Sequence, residues 1–115
     1  MDLIECLKPN LEKAREIHLN RGDFLYHEGE TPQELYFLTK GIVGLFHLSE
    51  SGKETFLRVF GENNLIGHRT YFAEEDYHAS AMALSPSVIK VITTEQCNEI
   101  CLKNPELLKQ VTKSL

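Results

Sequence analysis

Residues 42–60 read Ile-Val-Gly-Leu-Phe-His-Leu-Ser-Glu-Ser-Gly-Lys-Glu-Thr-Phe-Leu-Arg-Val-Phe, and this stretch has the clearest local pattern in the chain. Two β-type runs, residues 42–48 and 55–60, flank a polar stretch that contains Ser51-Gly52. Glycine adopts the positive φ of a tight hairpin turn without steric cost. The stretch therefore predicts an antiparallel β-hairpin.

Short β-type runs continue on both sides of this hairpin. Residues that favour turns separate each run from the next, as in Gly29-Glu30-Thr31-Pro32 and Ser85-Pro86-Ser87. This punctuation is typical of an antiparallel barrel or sandwich. The predicted strands are residues 24–27, 35–39, 42–48, 55–60, 79–84 and 88–92.

Helical patterns flank this β region. Apolar residues at helical spacing predict an N-terminal helical segment over residues 1–17, and the β region then extends from 18 to 92. Thr93 and Gln96 have the spacing of a capping box, which predicts a short helix after the last strand. No internal repeat divides the chain, so we expect one domain over residues 1–115.

A second C-terminal helix is predicted from Asn104-Pro105, within a helical region over residues 93–115. Its apolar face consists of Leu107, Leu108, Val111 and Leu115. The amphipathic pattern is still running at the last residue, so we expect this helix to be cut short.

The overall charge argues against direct contact with nucleic acid. Subtracting 17 acidic residues from 12 basic ones gives a formal charge of −5, and no Lys/Arg cluster interrupts this balance. Neither a signal sequence nor a long apolar stretch is visible, so we expect no membrane association and a cytoplasmic location.

Three cysteines, an odd number, predict reduced thiols rather than a disulfide framework. Cys97 and Cys101 are one helical turn apart and could form a metal site or a redox pair if Cys6 packed nearby. The alternative, which we favour, is that they are small buried apolar residues.

Catalytic chemistry has little support in the residues. No Ser/His/Asp or Cys/His set is suggested, and a metal-dependent enzyme of the cupin type would need a His-x-His strand that is absent. His18, His27 and His47 are isolated, and we assign them no role. We therefore expect no catalytic residues, no certain cofactor and no metal ligands.

The strand pattern breaks between residues 60 and 84, where a strand, a short helix and another strand are predicted. Gly67 allows a tight turn, and residues 69–73 can then form one helical turn. The exposed N–H groups at the start of such a helix attract anions, so a phosphate or carboxylate could sit against residues 67–70.

Together these features resemble one known family. The matching segments are Gly22-Asp23, Gly29-Glu30, Glu34-Leu35-Tyr36-Phe37-Leu38, Lys40-Gly41, Gly52 and Leu65-Ile66-Gly67. The chain resembles the cyclic nucleotide-binding domain of the catabolite activator and fumarate–nitrate regulator family of bacterial transcription factors. The resemblance implies a mainly β fold with flanking α-helices, a double-stranded β-helix or jelly roll.

The resemblance also implies a ligand site in a phosphate-binding cassette. The positions it assigns are Leu65, Ile66, Gly67, His68, Arg69, Thr70, His78, Ala79 and Ser80. In the family a Glu follows the glycine and an Arg binds the cyclic phosphate, but here His68 and His78 stand at these places, and Ala79 replaces the usual Ser or Thr. Without the guanidinium fork, ordinary cyclic AMP is not the expected ligand.

Two functional hypotheses follow from the resemblance. The first is a ligand-sensing regulatory domain that binds a small anionic or nucleotide-like effector, forms a homodimer through Leu107, Leu108, Val111 and Leu115, and reaches DNA only through an absent helix-turn-helix domain. The second is a domain that has lost its ligand and serves dimerisation and protein contacts. For His68 and His78, anion binding when protonated, metal binding when neutral, and a purely structural role all remain open. An iron–sulfur cluster, which part of the family carries, would need four thiolates and is not expected.

Overall fold

A computed structural model describes the backbone of residues 11–103 and the side chains of residues 11–99. This part of the chain forms eight strands and two helices. The elements are β1 (Arg15–Leu19), β2 (Phe24–Tyr26), β3 (Glu34–Lys40), β4 (Val43–Leu48), β5 (Glu54–Phe60), β6 (Asn64–Ile66), α1 (His68–Ala73), β7 (Ser80–Ala83), β8 (Ser87–Thr93) and α2 (Thr94–Lys103).

The strands form two four-stranded antiparallel sheets, which confirms the predicted jelly roll. The first sheet has the order β1-β8-β3-β6 and the second has the order β2-β7-β4-β5. Strands distant in sequence are neighbours in both sheets, for example β1 with β8 and β2 with β7. These long-range pairings bring the two ends of the described chain together in the first sheet.

The first sheet has buried side chains on both faces of its two middle strands, β3 and β8, whereas its edge strand β1 is half-buried or exposed. Leu38 and Ile89 on its inner face pack with residues of the second sheet, such as Val43 and Ala81, in a core between the sheets. The opposite face packs against the helices, in a second cluster made of Leu35, Phe37, Leu65, Ile92 and Cys97. Alternate residues of β3 therefore enter different cores, as the period-two geometry of a strand requires.

The hairpin predicted from residues 42–60 is present as β4 and β5. The strands pair with Phe46 opposite Phe56, and a bulge interrupts the register between Leu45 and Phe46. At the turn, the Ser49 N–H donates to the Lys53 carbonyl at 2.9 Å, and Gly52 has φ +82°. The glycine adopts the left-handed conformation on which the prediction depended.

The N-terminal helix prediction is wrong over residues 15–17, which belong to β1. Leu11, Ala14 and Ile17 have helical spacing, but Ile17 and Leu19 also fit the period of a strand and pack against the core between the sheets. Pairing of β1 with β8 satisfies the backbone of this segment and decides between the two patterns. Residues 1–10, with Cys6, lie outside the described residues.

Two other differences concern short elements. Strand β6 was not predicted, because Asn64–Ile66 is too short to show a period and is defined by its pairing with β3. Helix α1 begins at His68, one residue before the predicted turn. No helix among residues 11–103 is long and apolar enough to cross a membrane.

The capping box is confirmed at the start of α2. The Thr93 N–H donates to Gln96 Oε1 at 3.0 Å, and the Gln96 N–H donates to Thr93 Oγ1 at 3.2 Å. Cys97 is buried beneath this first turn, as a small apolar residue would be. The predicted helix from residue 104, with its dimer face, lies outside the described residues.

The cap yields a stability prediction. Thr93→Ala removes the hydroxyl that accepts the Gln96 N–H, so we expect the free energy of unfolding to fall by about 1 kcal/mol. Urea denaturation measures this loss. Asn98→Ala, at an exposed position of the same helix, is the control and should change stability by less than about 0.5 kcal/mol. Equal losses in both variants would contradict the cap.

Candidate functional site

The site is built around the turn from β6 into α1. β6 ends at Ile66, and Gly67 reverses the chain direction with φ +76°. α1 then runs to Ala73 and ends at Glu74, which is itself left-handed with φ +57°. A Cβ on Gly67 would lie 2.9 Å from Tyr77 Cε1 and 3.3 Å from Tyr26 Cε2. A glycine is therefore required here both for the backbone angle and for the close approach of two rings.

A pocket of about 220 Å³ lies beside this turn, between α1, β5 and the segment before β7. The structure brings His68 and His78 to the same pocket. The predicted site residues that line it are Gly67, His68, Arg69, Thr70, His78 and Ala79. The other lining residues, which were not predicted, are Tyr26, Leu45, Leu57, Arg58, Phe60 and Tyr77.

Leu65, Ile66 and Ser80 are also predicted site residues, but their side chains do not line this pocket. Leu65 packs in the core against the helices, and Ile66 packs in the core between the sheets. Ser80 is buried, and its Oγ accepts the Glu28 N–H at 2.9 Å. The side chains of these three residues therefore have structural contacts in the interior of the domain and are not available to a ligand in the pocket.

Two stacked tyrosines form one wall of the pocket. The rings of Tyr26 and Tyr77 are 3.6 Å apart between centroids and inclined by only 7°. Burial is the main cause that raises the pKa of both hydroxyls, so both are neutral at physiological pH. Tyr77 is 5% exposed, and its Oη has no hydrogen-bond partner among the described residues.

His68, the first residue of α1, is held neutral. Burial is the largest cause that lowers its pKa, and the charges of Arg69 and Arg58 lower it further. Its Nδ1 is buried without a hydrogen-bond partner among the described residues. Anion binding by a protonated His68, one of the hypotheses from the sequence, is therefore disfavoured at neutral pH.

His78, on the other side of the pocket, is exposed and bonded to a carboxylate. Its Nε2 lies 2.8 Å from Oε2 of Glu75, a residue of the loop between α1 and β7. A carboxylate therefore lies next to the position at which the resemblance implies a phosphate-binding arginine.

Arg58 is the charged residue among the six lining residues that were not predicted. It lies on β5 opposite Leu45, with its guanidinium 4.7 Å from the centroid of the Phe60 ring. Within residues 11–99, no carboxylate oxygen lies within 4 Å of the Arg58 or Arg69 guanidinium. The bulge between Leu45 and Phe46 sets which β5 side chains face the pocket, and no sequence pattern indicates this bulge.

The arrangement favours binding over catalysis. It offers two unpaired cations, a neutral imidazole and apolar walls, but no nucleophile paired with a base. In the described part of the chain, no three His, Cys, Asp or Glu side chains are grouped so that they could hold a metal ion.

Comparison with known families decides what kind of domain this is. The sequence model of the cyclic nucleotide-binding domain matches residues 16–104, which include the whole pocket and all eight described strands except Arg15 at the start of β1. The chain belongs to this family. The resemblance predicted from the glycine turns and the Leu65-Ile66-Gly67 segment is thereby confirmed.

Individual relatives of this cyclic nucleotide-binding domain are bacterial. An uncharacterised protein of Haemophilus influenzae is 38% identical over 84% of this chain and 78% of its own length. The anaerobic regulatory protein of Bacillus subtilis is 27% identical over 97% of this chain, which spans only 46% of that relative. The N-terminal domain of a transcriptional regulator from Streptomyces coelicolor superposes with a TM-score of 0.79 at 28% identity, covering 96% of this chain and 81% of that one.

The crowding at Gly67 yields a second prediction. In Gly67→Ala the new Cβ meets the tyrosine stack and also strains the backbone, so we expect a loss of about 3 kcal/mol in unfolding free energy. Gly52→Ala is the matched control, because Gly52 has φ +82° but nothing within 4 Å of a Cβ. The control should cost about 1 kcal/mol. If the two variants lose the same stability in urea, ring crowding is not a constraint.

The lowered pKa of His68 gives a pH prediction. Folding lowers the pKa of His68, so the folded state disfavours the protonated ring. The contribution of His68 to the free energy of unfolding is therefore highest above the unfolded pKa of 6.5 and falls as the pH decreases through the lowered pKa of the folded state. We expect the melting temperature of the wild type, relative to His68→Asn, to decrease between pH 7.5 and pH 5.5. His18→Asn, an exposed histidine outside the pocket, controls for removal of a histidine. A difference that stays constant with pH would contradict a neutral buried His68.

Proposed function

We propose that this domain senses a small anionic effector, which binds in the pocket beside α1 and controls a transcription regulator of the catabolite activator and fumarate–nitrate regulator family. The observation that carries the proposal is the pair of guanidinium groups, Arg58 and Arg69, at an apolar pocket that also includes six of the residues assigned to a ligand site by the resemblance. Cations without carboxylate partners at a concave apolar site are suited to an anion.

The pocket chemistry argues against ordinary cyclic AMP as this effector. A neutral His68 replaces the carboxylate that binds the ribose hydroxyls in the resembled family, and His78 replaces the arginine fork. Glu75 next to His78 adds a negative charge where the cyclic phosphate would lie. The proposed anion must therefore contact other residues of the pocket than those that the resemblance implies for cyclic AMP.

Contacts from α1 to the helix that follows the β-roll supply a route for a signal. The Tyr71 hydroxyl donates to Thr94 Oγ1 at 3.2 Å, at the first residue of α2. Tyr71 and Phe72 also pack on the cluster that contains Cys97 of α2. A ligand that shifts α1 would thus act on α2 and on the chain beyond it, where we propose a dimer interface and a DNA-binding domain. The regulatory names of the Bacillus and Streptomyces relatives support this role.

A ligand-free interaction module is the second candidate, and the outer hairpin favours it. Phe56, Leu57 and Val59 of β5 are each about half exposed, at 49%, 54% and 56%. β5 is also an edge strand of its sheet. Apolar side chains on an edge strand are suited to contact with another protein surface.

A thermal-shift panel separates the two candidates. The probes are cyclic AMP, cyclic GMP, inorganic phosphate, 2-oxo acids and aromatic carboxylates, with adenosine as an uncharged control. If the sensor proposal is correct, at least one anion raises the melting temperature saturably, corresponding to about 2.7 kcal/mol at a hundredfold excess over its Kd. An unchanged melting temperature across the whole panel would favour the interaction module.

A further inference from the structure

We infer that the anion-binding point of this pocket lies on β5, at the guanidinium of Arg58 assisted by Arg69, and that the effector is a small carboxylic acid with an apolar body. This inference rests on the proposed sensing function and specifies its ligand. It assigns the charge-binding role to a strand outside the phosphate-binding cassette.

The charges around the pocket are distributed unevenly. On the β7 side, His78 is bonded to the Glu75 carboxylate at 2.8 Å, so an anion placed there would face a negative group. On the opposite side, Arg58 and Arg69 have no carboxylate within 4 Å among residues 11–99. After burial, the positive charges of both arginines lower the pKa of His68, so the electrostatic potential at this ring on the pocket wall is positive. An anion therefore has its most favourable position near Arg58, Arg69 and His68.

Arg58 is well placed for a carboxylate. Its guanidinium lies over the Phe60 ring at 4.7 Å, a contact that orients the planar group and leaves its N–H edges without carboxylate partners. A guanidinium fork matches the two oxygens of a carboxylate by two parallel hydrogen bonds. Neutral His68 can contribute a hydrogen bond to the same carboxylate.

The remaining walls define the body of the ligand. Leu45, Leu57, Phe60, Ala79 and the Tyr26–Tyr77 stack are apolar surfaces, and Thr70 Oγ1 already donates to the Gly67 carbonyl at 3.0 Å. The pocket volume of about 220 Å³ is below the range of about 300–1,000 Å³ that is usual for drug-sized ligands. Apart from Tyr77 Oη and the His68 ring, few uncharged polar groups of the pocket are available to satisfy the hydroxyls of a sugar. A compact aromatic or aliphatic carboxylate fits these walls better than a nucleotide.

The test uses 2-naphthoate and its uncharged analogue 2-naphthamide, with binding to the 115-residue chain measured by titration calorimetry at pH 7.5. We expect wild type to bind naphthoate at least about tenfold more tightly than naphthamide, because only the carboxylate forms charge-assisted hydrogen bonds with Arg58. Arg58→Gln should weaken naphthoate about tenfold and leave naphthamide unchanged. Arg58→Lys should restore part of the affinity, since it keeps the charge but loses the fork.

Two further variants locate the anion. Glu75→Gln removes the negative charge beside His78, and it should leave the affinity for naphthoate unchanged if the carboxylate lies at Arg58. Arg21→Gln, an exposed arginine outside the pocket, is the matched control and should bind like wild type. The melting temperature of each variant without ligand verifies that it is folded.

The outcomes separate this inference from the proposed function. Naphthoate affinity that is unaffected by Arg58→Gln, or that increases in Glu75→Gln, would overturn the placement on β5. Equal affinity for naphthamide, or binding of cyclic AMP but not naphthoate, would overturn the carboxylate class while leaving a sensor domain. If the wild type binds none of the anions in the panel, both proposals fail together.

Discussion

The structure of the site depends on one close contact, the approach of the stacked Tyr26 and Tyr77 rings to the α-carbon of Gly67. Both backbone polar groups of Tyr77 are hydrogen-bonded to one turn: its N–H donates to the Glu30 carbonyl at 2.9 Å, and its carbonyl accepts the Gly29 N–H at 2.8 Å. Through this stack, Tyr26 at the end of β2 packs against Tyr77 in the segment before β7. Because Gly67 lacks a Cβ, the turn into α1 can close over the rings, and the pocket forms beside that turn.

This arrangement has an energetic cost that is concentrated at the pocket. Tyr77 Oη and His68 Nδ1 are both buried without hydrogen-bond partners among the described residues, and such groups cost about 1–3 kcal/mol each. Glu74 at the end of α1 adds a left-handed backbone conformation that non-glycine residues disfavour. The two cores of the first sheet are well packed by comparison, with Leu35, Leu38 and Ile92 fully buried. Buried polar groups that lack partners and lie together at one pocket are typical of a functional site.

The sequence predicted the parts of the fold that local rules determine. The Ser51-Gly52 hairpin and the Thr93–Gln96 cap depend on residues a few positions apart, so their patterns are visible without tertiary information. β1 could not be predicted, because its helical spacing is overruled by pairing with β8, some 70 residues later in the chain. The cassette positions followed from family resemblance. Arg58, in contrast, reaches the pocket through a bulge and a cross-strand register, which only the folded structure reveals.

The fold and the recognition chemistry of this domain have separate physical origins. The glycine turns and the two cores require only backbone angles and apolar volume, so the jelly roll persists when the side chains at the ligand site change. The resemblance implies a carboxylate and a guanidinium at positions 68 and 78, whereas this chain has a neutral His68 and a carboxylate-bonded His78. The contact from Tyr71 to Thr94 is independent of these exchanges, because it lies on the face of α1 that packs toward α2. In the sensor that we propose, substitutions on β5 and at the start of α1 therefore change the effector, while the connection from α1 to α2 is retained.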